Sequence, residues 1–273
     1  MRRPEAQMRP PRSHALVIMA KAPVSGAVKS RLVPPLTEDE AAALNRCFIR
    51  DVSASIEAAA AMVAAASDAR VTGMVAYSPV GMESAFDGLV PTSFQLIAQR
   101  GDGLTERLIN VADDLFAAGY ESVSMMNSDS PTIPASILAG AVTNLARSGD
   151  RIAIAGADDG GYCLIGLKRP HWRIFEDISW STAAVFAQTL ERVAELGLEA
   201  ARMPSWYDVD DAASLRRLIG ELFGDRSPTA TPTDLQGFPA PASRAWLSMA
   251  LAASLADRLG ITRLKITPDR CQR

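Results

Sequence analysis

The first hydrophobic feature of the chain is a short continuous apolar run, Ala15–Ala20 (ALVIMA), which reads as a strand buried on both faces. A polar loop follows, and then the period changes. Thr37 with Glu40 three residues on predicts a capping box, and apolar positions at Leu44, Phe48, Val52, Ile56, Ala59 and Val63 recur every three or four residues, as on one helix face. Val71–Tyr77 and Phe94–Ala98 read as the next strands. Leu104, Leu108, Val111 and Leu115 mark a helix ending at Gly119, and Tyr120–Met126 a further strand. Pro134 suits a first helical position, with Ile137, Leu138, Ala141, Val142 and Leu145 on the buried face. Strands follow at Arg151–Ala155 and Tyr162–Leu167. Ser181 or Thr182 is expected to cap a helix through Val185, Phe186, Leu190 and Val193, closed by Gly197. A short strand at Ala200–Met203 and a helix through Leu215, Leu218 and Leu222 complete the series.

Strands alternating with helices predict an α/β fold: a single Rossmann-like, mostly parallel sheet with helices on both faces, over residues 14–223. From Gly224 to Ser243 the chain is rich in Pro, Thr and Gly and reads as a linker. Within the 224–273 extension, Ala245–Leu259 predicts one more amphipathic helix, docked on the body or on a second subunit of a homodimer. Residues 1–13 read as a disordered basic arm.

Charge refines this picture. The chain of 273 residues carries 28 Lys plus Arg against 31 Asp plus Glu, a net −3. Residues 1–13 and 262–273 each carry +3, which leaves −9 on the body and argues against nucleic acid as partner. Three widely spaced cysteines (Cys47, Cys163, Cys271) without a CxxC predict neither a disulfide framework nor a zinc site, and point to a reducing, cytoplasmic setting. No apolar run approaches the ~20 residues of a membrane span. With only His14 and His171, histidine-based triads and multi-histidine metal sites are all but excluded.

Ligands of open parallel sheets bind beyond the carboxyl ends of the strands, and four segments predicted there carry unusual residues. The loop Lys21–Leu32 holds Lys21, Lys29 and Arg31 directly after the first strand, a composition suited to polyphosphate. It is not a P-loop, because Val28 stands where a glycine must precede the lysine. In Asn127-Ser128-Asp129-Ser130-Pro131, Asp129 either reaches a divalent metal or closes an Asx turn. Asp158-Asp159-Gly160-Gly161-Tyr162 allows close ligand approach, yet by itself reads as a hairpin turn. In Asp208-Val209-Asp210-Asp211, extended alternation places Asp208 and Asp210 on one side, while Asp210 or Asp211 caps the next helix. Cations after one strand and carboxylates after two others are the inventory of phosphoryl or nucleotidyl transfer.

These residues also carry a resemblance. A-K-A-P-x-x-G-x-V-K-S-R-L at Ala20–Leu32, S-D-S-P at Ser128–Pro131, D-G-G-Y-x-L-I-G-L at Asp159–Leu167, W-S-T at Trp180–Thr182 and Y-D-V-D at Tyr207–Asp210 resemble the nucleotide-diphospho-sugar transferase superfamily, with its glycosyltransferase-A-like fold. The resemblance runs from Ala15 to Leu222 and, within the superfamily, is to a bacterial family labelled glycosyltransferase-like. The N-terminal pattern is also similar to phospholactate and phosphoenolpyruvate guanylyltransferases. It implies that Lys21, Lys29 and Arg31 contact nucleotide phosphates and that Asp129, with Asp208 or Asp210, holds Mg²⁺ or Mn²⁺. Lys29 and Asp129 are then the candidate catalytic pair, with Gly26, Ser30, Ser128, Gly160, Gly161 and Tyr162 as further candidates for substrate contact. Asn127 replaces the first acid of the glycosyltransferase D-x-D, a pattern closer to nucleotidyltransferases. The expected partners are a nucleoside triphosphate or nucleotide sugar and a small phosphate- or carboxylate-bearing acceptor. Nucleotidyl transfer is the expected activity, glycosyl transfer the alternative, and non-catalytic nucleotide binding the third reading.

Overall fold

The structure, a computed structural model, describes residues 13–224 and 235–261. Residues 1–12 of the expected basic arm, the C-terminal basic tail, Cys271 and residues 225–234 of the expected linker lie outside the described residues, while Ser13, the last residue of that arm, belongs to the first strand.

Seven strands form one sheet in the order β3-β2-β1-β4-β6-β5-β7. They are β1 (Ser13–Lys21), β2 (Arg70–Ser78), β3 (Gln95–Ala98), β4 (Ser122–Asn127), β5 (Arg151–Ala157), β6 (Tyr162–Leu167) and β7 (Glu199–Trp206). The apolar run at Ala15–Ala20 lies in β1, paired in parallel with both β2 and β4, which is why it carries no polar alternation. The sheet is mostly parallel; among the described strands β6 alone is antiparallel, to β4 and to β5. The Asp158–Gly161 segment is therefore a hairpin turn, as its composition suggests, with Gly160 at φ 87°.

Helices α1 (Glu38–Ala66) and α3 (Ala135–Ala146) cover one face, and α2 (Leu104–Ala117) and α4 (Val185–Glu195) the other. The capping box forms as expected: the Thr37 side chain accepts from the Glu40 amide, and Glu40 accepts from that of Thr37. The start of α4 is different. Ser181 sits in the left-handed region (φ 64°) and Thr182 Oγ1 donates to the carbonyl of Ser179, so neither caps the helix; Ala184 is the N-cap residue. The Phe186 amide instead donates to the Gly160 carbonyl (2.8 Å), so the hairpin supplies the acceptor that a side chain was expected to give. Pro134 is likewise the N-cap of α3 rather than its first residue.

A third apolar cluster joins α1 to α5 (Ala212–Phe223) and to the C-terminal helices α6 (Pro241–Ala250) and α7 (Ala256–Leu259), which are continuous through a π-helical turn at Leu251–Leu255. Helix α6 starts four residues earlier than expected, inside the Pro-rich stretch, because Pro241 occupies its first turn. Leu247, Leu251, Leu255 and Leu259 are buried in the same cluster as Leu44 and Phe48, so this helix docks on the body of its own chain. A buried carboxylate fixes the contact: Asp51 of α1 accepts from the amides of Ala242 (2.9 Å) and Ser243 (2.8 Å), at the N-terminus of α6. Burial pushes the Asp51 carboxyl up and those amides pull it down, with burial prevailing.

Asp51→Ala should therefore cost about 1–3 kcal/mol in chemical denaturation, the cost of leaving a buried donor unsatisfied, and Asp51→Asn less, because its amide oxygen still accepts. Equal loss in both variants would separate the carboxylate from the docking of α6.

Candidate functional site

In this strand order the connection from β1 goes to β2 on one side, while β4 pairs on the other. A crevice opens at such a switch point, outside the carboxyl ends of β1 and β4. Lys21 ends β1 and Asn127 ends β4, and the parallel β7 brings residues 207–211 to the same edge. A backbone bond from the Val209 amide to the Asp129 carbonyl (2.8 Å) ties the two acidic turns together.

Lys29 lies at the centre. Its backbone is left-handed (φ 53°), and its side chain, 4% exposed, reaches Asp129 Oδ1 at 2.8 Å and Asp210 Oδ1 at 2.9 Å. The ammonium also donates to the Val209 carbonyl (2.8 Å). Burial pulls the Lys29 pKa down, but the two carboxylates together outweigh it and hold the ammonium above the ordinary lysine value. Arg31, 74% exposed, pairs with the other oxygen of Asp210 at 3.0 Å.

The Asx turn ahead of Pro131 exists, but Asn127 closes it: its Oδ1 accepts from the Asp129 amide (3.0 Å). The Asp129 side chain is thereby left to face Lys29. Asp208 points elsewhere, its Oδ1 accepting from Ser130 Oγ (2.5 Å) and Asn127 Nδ2 (2.8 Å). Burial, assisted by the charges of Asp129 and Asp210, pushes its carboxyl up to about 6, against the hydrogen bonds from Ser130 and Asn127. The expected sharing of one side by Asp208 and Asp210 does not occur: Asp210 joins the cations, while Asp208 joins the β4 turn. Asp211 is the helix cap, accepting from the Ser214 amide at 2.8 Å.

Two adjoining cavities result. A polar one of about 290 Å³ is lined by Lys21, Lys29, Ser30, Arg31, Ser128, Asp129 and Asp210, and also by Asn45 of α1. A larger one of about 470 Å³ takes Gly161, Tyr162 and Asp208 together with Trp180, Leu104 and Leu108. Met19 and Arg31 line both. Of the remaining candidates, Gly26 holds a turn at φ 74° and lines neither. Gly160 lines neither as well; a Cβ there would stand 2.3 Å from the Ala183 carbonyl oxygen, so glycine serves the approach of hairpin to α4. Sequence reasoning missed Met19, Asn45, Leu104 and Leu108 as cavity residues, because each reads as an ordinary core or helix position.

Residues 60–182 match the profile of a family described as an uncharacterized protein conserved in bacteria, DUF2064. No curated protein matches the chain. Among solved structures, the chain is similar to a protein of Desulfovibrio desulfuricans G20 provisionally named a nucleotide-diphospho-sugar transferase, with 26% identity over 90% of this chain and 97% of that one and a TM-score of 0.69. The fold is that of the nucleotide-diphospho-sugar transferase superfamily. Likenesses of fold alone reach a cytidylyltransferase of Leptospira borgpetersenii (12% identity, 82% and 92% of the two chains, TM-score 0.48). Another is glucosyl-3-phosphoglycerate synthase of Mycobacterium tuberculosis, solved with Mn²⁺, uridine diphosphate and glucosyl-3-phosphoglycerate (12% identity, 92% and 81%, TM-score 0.45). Among the described residues of this superfamily fold, no helix is long and apolar enough to cross a membrane.

Two outcomes follow from the ion pairs. Lys29→Ala leaves Asp129 and Asp210 facing each other without their shared cation, so it should lower the melting temperature of the ligand-free protein clearly; Arg31→Ala, at an exposed pair, should not. Similar melting temperatures for the two variants would show that Lys29 contributes no more than a surface pair.

Asp208 sets a pH dependence. Its folded-state value lies above the unfolded carboxylate value of about 3.9, so its contribution to stability is complete below about pH 4 and is lost as pH rises through about 6. Asp208→Asn cannot ionise, so the melting temperature of the variant minus that of the wild type should rise between about pH 4 and pH 7, measured in a chelator. A flat difference would contradict the raised value.

Proposed function

We propose that this chain is a nucleotidyltransferase that binds a nucleoside triphosphate in the cationic cavity and passes its nucleoside monophosphate to a small anionic acceptor. The observation that carries this reading is the convergence of Lys21, Lys29 and Arg31 with Asp129 in one cavity at the switch point of the sheet. Arg31 is exposed and held by a single carboxylate, and so is free to swing onto a phosphate. Lys29 is already engaged by two acids, and an incoming triphosphate competes with them for it. In the transfer, an acceptor oxygen attacks the α-phosphorus, the bond from that phosphorus to the bridging oxygen breaks, and pyrophosphate leaves with the electron pair. Lys21, Lys29 and Arg31 compensate the charge that accumulates on it. The acceptor anion is its own nucleophile, so no side-chain base is required.

Residues for a divalent ion are present in reduced number. Among the described residues no three His, Cys, Asp or Glu side chains group as a metal site, and both oxygens of Asp210 are taken by Lys29 and Arg31. Asp129 and Asp208 each keep one carboxylate oxygen without a hydrogen bond among the described residues. One or two carboxylates completed by substrate phosphates are the usual Mg²⁺ set, so Asp129 and Asp208 fit as its holders. When bound there, Mg²⁺ would neutralise phosphate charge and align attacking and leaving oxygens.

The likeness to the Desulfovibrio protein favours glycosyl transfer from a nucleotide sugar as a second reading. Products separate the two: pyrophosphate for nucleotidyl transfer, nucleoside diphosphate for glycosyl transfer. The first test is thermal stabilisation by each common nucleoside triphosphate with Mg²⁺; a ligand at 100 times its Kd adds about 2.7 kcal/mol. Arg31→Ala should weaken that binding by about 1–3 kcal/mol. Asp129→Asn should abolish Mg²⁺-dependent turnover at saturating nucleotide. Near-wild-type turnover in that variant, or no stabilisation by any triphosphate, would overturn the proposal.

A further inference from the structure

The larger cavity has a chemistry of its own. Its floor is core: Leu108 of α2, Met125 of β4 and Ile165 of β6 are buried residues of one apolar cluster and still line it. Tyr162 and Trp180 meet edge to face with centroids 6.3 Å apart and form an aromatic corner. Trp180 is held in place, its indole N–H donating to Thr105 Oγ1 (2.7 Å), which in turn donates to the Phe175 carbonyl (3.1 Å). Leu104, first residue of α2, lies on the cavity with 44% of its surface in water, an unfavourable exposure that an apolar occupant would relieve.

Polar groups are present too, but most are already satisfied within the protein. Asn127 bonds Asp208 and the Asp129 amide, Asp159 accepts from the Gly161 amide, and Thr182 bonds Ser179 and Ala184. A sugar buried here would need several partners for its hydroxyls, and few remain. Arg31, by contrast, stands where the two cavities adjoin, and Asp208 lines the larger one. A volume of about 470 Å³ suits a small molecule rather than a peptide segment.

We infer, building on the nucleotide-binding reading of the neighbouring cavity, that the acceptor is amphipathic: an apolar, ring-sized body lies between Tyr162, Trp180 and Leu104 on the Leu108–Met125–Ile165 floor, and a single anionic head points to Arg31 and the bound nucleotide. A polyhydroxylated acceptor such as a sugar phosphate is selected against, because its hydroxyls would lose water without gaining partners.

The test compares phenyl phosphate with glycerol 3-phosphate, which share a phosphate monoester head and differ in body, by calorimetry on the full chain without nucleotide. Phenyl phosphate should bind about tenfold or more tightly, since its ring buries apolar area that glycerol lacks. Trp180→Ala should erase the preference while leaving nucleoside triphosphate affinity, measured separately, unchanged. Leu104→Gln, at an exposed position, should reduce the preference and keeps the test readable if Trp180→Ala fails to fold. Equal affinities, binding of neither probe, or a matching loss of nucleotide affinity in Trp180→Ala (which would place the base in this cavity) would overturn the inference. Absence of triphosphate binding with the phenyl preference intact would instead count against the nucleotide reading alone.

Discussion

The ammonium of Lys29, held between the carboxylates of Asp129 and Asp210, is the interaction on which the functional edge of this protein depends. It joins three segments distant in sequence: the loop after β1, the turn after β4 and the stretch after β7. Without a cation at that point, carboxylates from two strand ends would face each other in a half-buried setting, where repulsion is poorly screened. With it, the loop folds down far enough to place Arg31 on the far oxygen of Asp210 and to leave Lys21 on the wall of the same cavity. The left-handed backbone at Lys29 is a local cost borne for this contact.

That single tie also divides the crevice. Asp210 is drawn toward the cations, and Asp208, two residues earlier, is drawn under the β4 turn by Ser130 and Asn127. Two cavities of different character then share, among the described residues, Met19 and Arg31. The polar cavity suits phosphate, and the larger one has an apolar floor. Arg31, an exposed side chain, stands at their junction, and a guanidinium presents a planar fork of donors that matches carboxylate and phosphate geometry.

Around this edge the framework is held by groups that act at helix ends. The Gly160 carbonyl receives the Phe186 amide and so couples the β5–β6 hairpin to α4, and the Asp51 carboxylate receives the first amides of α6. Arg217, stacked 3.8 Å from the ring centre of Tyr207 and paired with Asp158, links that hairpin to α5. These contacts tie the hairpin that leads into Tyr162 to α4 and α5.

The sheet, its strand–helix alternation and the α1 capping box were legible in the chain alone, because burial on both faces writes continuous apolar runs and helices write a 3.6-residue period. The charged loop after the first strand and the acids after two later ones were legible for a related reason: they interrupt apolar runs at strand ends, where ligands gather. Other features depended on neighbours far along the chain. Nothing near Ser181 and Thr182 reveals that Gly160 will cap α4, and the alternation of Asp208 and Asp210 does not reveal that Lys29 will claim one and Ser130 the other. Leu104 and Leu108 look like any helix face until Trp180 and Tyr162 close over them. Sequence by itself determined which elements form and which residues carry charge at the strand ends, since both follow from local pattern. Tertiary structure alone decided how those charges pair and where the cavities divide, since a contact such as that of Lys29 with Asp210, 181 positions apart, is set by packing and not by local period.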